Sequence, residues 1–174
     1  MSKASEEKEL KLLKRKCLFL WKACVKERAG KRCEAILENG KRCNKTKRLQ
    51  IHHCESYSIN KALRYDPKNG FCLDLTHHKF GGYSAHKSFI MMDNLFRGER
   101  VADLYYLKKV RASQIELTNE YLLTQIELLT SELEYWTEMN KRKKHPVEEI
   151  TEEPDQVQFD ELNRPKFILK PRIK

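Results

Sequence analysis

A chain of 174 residues with 40% hydrophobic and 34% charged residues can bury one small core with helical extensions. No apolar run approaches the roughly 20 residues of a membrane span, and charges interrupt the N-terminus where a secretory signal would be apolar, so an intracellular protein without a membrane partner is expected. The net charge of +10 is uneven: residues 1–50 hold 16 Lys/Arg against 6 Asp/Glu and carry all of it.

Ser5, followed by Glu6 and Glu7, is placed to cap a helix that runs to about Ala29 and stops at Gly30. Leu10, Leu13, Cys17, Leu20, Trp21 and Cys24 recur on one face, and Lys and Arg fill most of the other. From Cys33 to Thr76 short runs are separated by Asn39-Gly40, Asp66-Pro67 and Asn69-Gly70, turn formers through tolerance of positive φ or a fixed φ. Residues 49–54 and 71–75 read as two short strands. A helix is expected over 76–95, interrupted or bent by Gly81-Gly82. Val101 to Lys144 is helical in pattern, with Thr118 as an internal cap. Within it Leu122, Ile126, Leu129, Leu133 and Trp136 form an apolar stripe that suits a helical hairpin within the chain, or a homodimer or partner protein. Beyond Lys144, Pro146, Pro154, Pro165 and Pro171 stand among charged residues, and the segment reads as a flexible tail. The expected organisation is a basic helix (1–30), a compact core (31–97), a helical region (98–144) and the tail (145–174), together an α+β fold that is mainly helical.

A basic block on a neutral remainder suits a polyanion, because Lys and Arg release counterions from phosphates; the same residues would equally serve as a solvated helix face. The six cysteines, Cys17, Cys24, Cys33, Cys43, Cys54 and Cys72, are expected as thiols or metal ligands rather than disulfides inside a cell.

Five of the six histidines fall between residues 52 and 86. Adjacent histidines at the end of a strand point to opposite faces, so His52 can hold a cation while His53 reaches elsewhere. Phosphodiester hydrolysis needs that division: one imidazole takes a proton from water, and others fix a cation beside the phosphate.

The order Ile51-His52-His53, a turn-rich connection through Asn69, a strand, then His77-His78 opening a helix resembles the HNH, or ββα-metal, endonucleases. The run from Leu49 to His86, with Leu63-Arg64-Tyr65-Asp66-Pro67-Lys68-Asn69-Gly70-Phe71-Cys72-Leu73 inside it, is similar to phage-type members. The resemblance covers about residues 33–95. It implies a metal-dependent DNA endonuclease, whether nickase, double-strand cutter or structure-selective nuclease. In it His53 is the general base, Asn69 orients that base across the loop, and His52 and His78 are metal ligands. His86 is the nearest candidate for a further ligand, although eight residues separate it from His78 and Gly81-Gly82 must loop between them. If His86 serves otherwise, two protein ligands plus waters suit Mg²⁺ or Mn²⁺, with Zn²⁺ or Ni²⁺ as alternatives.

Many HNH proteins also carry a structural zinc held by two cysteine pairs. Here Cys33 and Cys43 flank the Asn39-Gly40 turn, and Asp74 and His77 occupy the positions of the second pair, with Cys54 or Cys72 as substitutes. The alternative is that Cys33 and Cys43 are reduced neighbours on a hairpin and the other cysteines small buried hydrophobes. His77 could equally contact phosphate or stand exposed.

Lys31, Arg32, Lys41, Arg42, Lys45, Lys47 and Arg48 precede the strand of His52 and His53, so a phosphate backbone drawn to them would lie near the base. Arg64 is a further phosphate candidate through its fork of donors, or an ion-pair partner of Asp66. Two readings of another class compete: a zinc-stabilised nucleic-acid-binding module that cuts nothing, and a helical assembly or packaging factor acting through residues 101–144.

Overall fold

The computed structural model describes residues 3–37, 39–56, 58, 60–80, 100–110, 115–144, 158–159 and 165–166, and the fold is α+β and mostly helical. Helix α1 spans Lys3–Arg28. It starts ahead of the expected cap, so Ser5 lies inside its first turn rather than before it. It stops where Gly30 takes φ +62, a conformation open to glycine, and the Lys31 amide returns to the Lys26 carbonyl at 2.9 Å.

Strands β1 (Leu49–His53) and β2 (Gly70–Asp74) pair antiparallel, with Ile51 opposite Cys72, His52 opposite Phe71 and His53 opposite Gly70. Their connection carries two 3-10 turns, Lys61–Leu63 and Pro67–Asn69. Asp66 caps the second by accepting from the Lys68 amide at 2.8 Å, and Pro67 sits where its missing N–H costs nothing. β2 runs directly into α2, Leu75–Phe80. The remainder of the expected 76–95 helix lies outside the described residues.

The helical region expected over 101–144 holds two helices, α3 (Val101–Lys109) and α4 (Asn119–Lys144). Val110 turns extended after α3, and Thr118 caps α4 by accepting from the Tyr121 amide at 3.1 Å, as its place in the sequence suggests. Residues 142–174 form a separate unit, in which Gln158–Phe159 (β3) pairs antiparallel with Pro165–Lys166 (β4).

The β1–β2 ribbon is sandwiched between two apolar clusters. On one face Cys72 meets Cys17, Trp21, Cys24 and Val25 of α1 and Leu122, Ile126 and Leu129 of α4. On the other, Phe71 and Leu73 pack with Cys33, Ala35, Cys54, Leu63 and Leu107. A strand buried on both faces is short of polar positions, and β2 is buried at all five residues. The stripe on α4 is therefore covered by α1, but not as a hairpin. The Cys17 thiol donates to the Leu122 carbonyl at 3.4 Å, Cys24 to Leu129 at 3.1 Å, and the Asn140 amide to Glu27 at 2.7 Å. Contacts that advance together along both chains make the helices parallel, a pairing that needs the long crossover the ribbon supplies.

Gly70 does not use the positive φ that the Asn69-Gly70 dipeptide suggests, since its φ is −122. Close approach demands glycine instead: a Cβ there would lie 2.4 Å from Val25 Cγ2 and 3.0 Å from Trp21 Cζ2.

Candidate metal and catalytic centre

His52 and His53 leave β1 on opposite faces, as alternation along a strand requires. His53 shares the α1 face with Ile51, and its ring stacks on Trp21 with centroids 3.8 Å apart and planes 9° from parallel. His53 Nε2 lies 2.9 Å from the Arg64 carbonyl oxygen. A carbonyl only accepts, so Nε2 carries the proton of the neutral ring and Nδ1 is its acceptor nitrogen. Burial disfavours the imidazolium. The Arg64 carbonyl bond opposes that effect, the charges of Arg64 and Lys22 add to it, and the pKa lies below the ordinary histidine value.

Asn69 is fully buried at the end of the second 3-10 turn. Its Oδ1 accepts from the Glu55 amide at 2.7 Å, and its Nδ2 donates to the carbonyls of Glu55 and Leu63, both at 3.0 Å. The side chain thus ties the start of the connection to its middle, one residue before the carbonyl that holds His53. It acts on the base through the loop.

On the opposite face of the ribbon His52 meets His78 of α2, ring centroids 5.1 Å apart and planes at 77°. Two imidazoles sharing one cation at metal–nitrogen distances near 2.0–2.1 Å would have centroids about 4.5–5.2 Å apart, a range that includes this separation. His86 lies outside the described residues.

The second cluster is formed by Cys33, Cys43, Asp74 and His77, whose ligand atoms all lie within 4.8 Å of one another and could hold a metal ion. Gly40, at φ +75, turns the 33–45 hairpin, and the Cys43 amide bonds the Ala35 carbonyl at 2.8 Å, which brings the two cysteines together. Cys33 Sγ is 3.5 Å from His77 Nδ1 and Cys43 Sγ 3.6 Å from Asp74 Oδ2. The edges of a tetrahedral metal site with sulfur, nitrogen and oxygen ligands are about 3.5 Å, which these two separations match, while His77 Nδ1 and Asp74 Oδ2 contact each other directly. The Asp74 amide also donates to Cys33 Sγ at 3.3 Å. Burial works against ionised Asp74, but hydrogen bonds from His77, Cys33 and the Thr76 amide outweigh it and hold the carboxyl well below the usual range. Burial pushes the Cys33 thiol up to about 12, so a bound cation would have to displace its proton. Cys54 and Cys72, the substitutes considered from sequence, are buried in the two apolar clusters instead.

The basic residues divide. Lys31, Arg32, Lys41, Lys45, Lys47 and Arg48 are exposed. Arg42 is also a structural residue: its guanidinium donates to the carbonyls of Cys33 at 2.9 Å, Ala29 at 2.6 Å and Arg32 at 3.1 Å, closing the hairpin onto the end of α1. Lys31 pairs with Glu27 at 2.8 Å, and Lys45 lies 3.9 Å from Asp74. Arg64 lies over the Tyr65 ring at 5.6 Å.

Three charged residues that the sequence leaves unremarked sit behind the ribbon. Glu34 accepts from the Cys72 amide at 2.7 Å and from Arg100 Nη1 at 3.1 Å. Arg28 donates to the carbonyls of Pro67 and of Gly70 and lies 3.8 Å from Glu34. Arg100 reaches the Lys68 carbonyl at 3.0 Å and covers the Phe71 ring at 4.3 Å. The buried carboxylate is offset by two guanidiniums and by the Cys72 amide, and backbone carbonyls accept from the Nη groups of both arginines. Together they hold residues 67–70, and with them the start of β2, against α1. Trp21 belongs to the sequence's apolar face, but nothing in that face points to His53.

Comparison with protein-family models, with curated proteins and with solved structures finds no match.

Proposed function

We propose that the chain is a metal-dependent DNA endonuclease of the HNH, ββα-metal kind. The observation that carries the reading is the division of the histidine pair on β1. Burial keeps His53 neutral and the Arg64 carbonyl fixes its Nε2–H tautomer, while its neighbour turns to the other face and meets His78. A ring fixed through Nε2–H directs Nδ1 as a proton acceptor, which suits it to deprotonate an attacking water. His52 and His78, with His86 as a further candidate, would hold a divalent cation, Mg²⁺ or Mn²⁺ in the first place and Zn²⁺ or Ni²⁺ as alternatives. Such a cation supplies charge stabilisation to a phosphoryl oxygen when bound. Asn69 keeps the loop in the shape that presents the Arg64 carbonyl. Lys31, Arg32, Lys41, Lys45, Lys47, Arg48 and Arg64 would draw the DNA backbone toward the ribbon, and Arg42 adds charge at the same edge.

The Cys33, Cys43, Asp74 and His77 cluster favours a second reading, in which zinc there stabilises a nucleic-acid-binding module that cuts nothing. Cleavage of supercoiled plasmid by the wild type and His53→Ala, each with Mg²⁺, Mn²⁺, Ni²⁺, Zn²⁺ or EDTA, separates the two. The nuclease requires metal-dependent nicking or linearisation that the folded variant loses. Equal DNA binding by both proteins with no cutting of plasmid, branched or single-stranded DNA would leave the binding module.

A further inference from the structure

We propose that Trp21 is a positioning residue for His53: helix α1 fixes, through this one indole, the plane in which the imidazole presents Nδ1. The inference rests on the nuclease reading above and adds to it a residue from outside the ββα element.

The torsion that orients a histidine ring about its Cβ–Cγ bond is broad, so packing must choose its value. The hydrogen bond from Nε2 to the Arg64 carbonyl pins one end of the ring. Alone it would let the plane rock about the bonded nitrogen. The indole at 3.8 Å and 9° removes that freedom, because a tilt drives one edge of the imidazole into Trp21.

Trp21 cannot give way in turn. It is fully buried, and its Nε1–H donates to the Asp66 carbonyl at 2.9 Å. The two stacked rings therefore end on carbonyls two residues apart in the same connection, Arg64 for the imidazole and Asp66 for the indole. A tryptophan present only to fill the core could turn its edge or its face to His53 equally well. Here one loop holds both rings parallel.

Two substitutions separate the contributions. Trp21→Phe keeps a flat ring and loses the bond to Asp66, whereas Trp21→Leu keeps an apolar side chain, though a smaller one, and loses the plane. Single-turnover nicking of supercoiled plasmid in Mn²⁺, plasmid affinity, and NMR of the His53 ring, assigned by its absence from His53→Ala, are read for each. The leucine variant is expected to cut roughly 10- to 100-fold more slowly at unchanged plasmid affinity, as a displaced reacting group does. Phenylalanine should restore most of the rate. The His53 ring protons should lie upfield in the wild type through the indole ring current and move downfield in Trp21→Leu. A folded leucine variant that cuts at the wild-type rate overturns the proposal. So does a wild-type His53 without the upfield shift, a result that requires no variant to fold. If the wild type cuts no plasmid, the nuclease reading fails separately. The NMR arm then decides the positioning: a shift and an Nε2–H tautomer lost together in Trp21→Leu support it, and their survival overturns it.

Discussion

Asn69 shows how much geometry one buried amide can hold. Its oxygen and its nitrogen serve three backbone groups, the Glu55 amide and the carbonyls of Glu55 and Leu63. Asn69→Ala leaves all three without that partner in a site the side chain now fills completely. The Leu63 carbonyl keeps the Asp66 amide at 3.4 Å, and each of the two Glu55 groups left without a partner costs about 1–3 kcal/mol, so urea unfolding should report a loss of about 2 kcal/mol or more. Asn69→Asp tests direction as well as size. The aspartate can still accept from the Glu55 amide, but it turns a charged acceptor toward two carbonyls that need donors. It should be no more stable than the alanine variant, despite its nearly identical shape. An aspartate variant of wild-type stability would mean that the amide donors contribute little and that the loop is held by other contacts.

At the scale of elements, the start of α2 is where both clusters meet. Asp74 uses Oδ1 to accept from the Thr76 amide at 2.8 Å, while Oδ2 faces His77 and Cys43. Consecutive residues on a helix point about 100° apart, so His77 turns to the cysteines and His78 to His52. A cation in the Cys33, Cys43, Asp74 and His77 cluster would fix the first turn of α2 and with it the place of His78. The protein is expected to retain about one zinc per chain through dialysis, and the Cys33→Ser/Cys43→Ser double variant to lose it. That variant should also melt at lower temperature and need about 10-fold more Mn²⁺ for half-maximal nicking, the usual size of an outer-shell effect on a metal site. Equal metal content in both proteins would remove the cluster as a metal site. Much of this region was legible: Asn39-Gly40 marks a tight turn by its backbone tolerance alone, and that turn puts Cys33 beside Cys43. The strand alternation likewise separates His52 from His53. The pairing of α1 with α4 was not legible, because an apolar stripe identifies the buried face but neither its partner nor the direction in which it runs. Arg28, Glu34 and Arg100 read as ordinary surface charges, and only the folded chain brings residues 66 positions apart to one carboxylate.

For the whole molecule, α1 carries two roles on two faces. Its inward face supplies Cys17, Trp21, Cys24 and Val25 to the core, while Lys11, Arg15, Lys22 and Lys26 stand exposed on the same helix. The charge excess of the first 50 residues is therefore built onto the scaffold of the site rather than hung on a detachable arm. Neutralising Lys11, Arg15, Lys22 and Lys26 together to glutamine should leave the melting temperature close to wild type, since none of them lies in either apolar cluster. DNA affinity should fall, and the slope of its logarithm against the logarithm of salt should shrink by about 0.9 for each duplex phosphate that the variant no longer neutralises. Deleting residues 1–30 should behave differently. It removes the buried face along with the charge and exposes the stripe of α4, so cooperative unfolding should disappear before binding can be measured. A quadruple variant whose affinity and salt slope match the wild type would confine DNA binding to the hairpin and the residues before β1. The outer face of α1 would then serve only to keep the protein in solution.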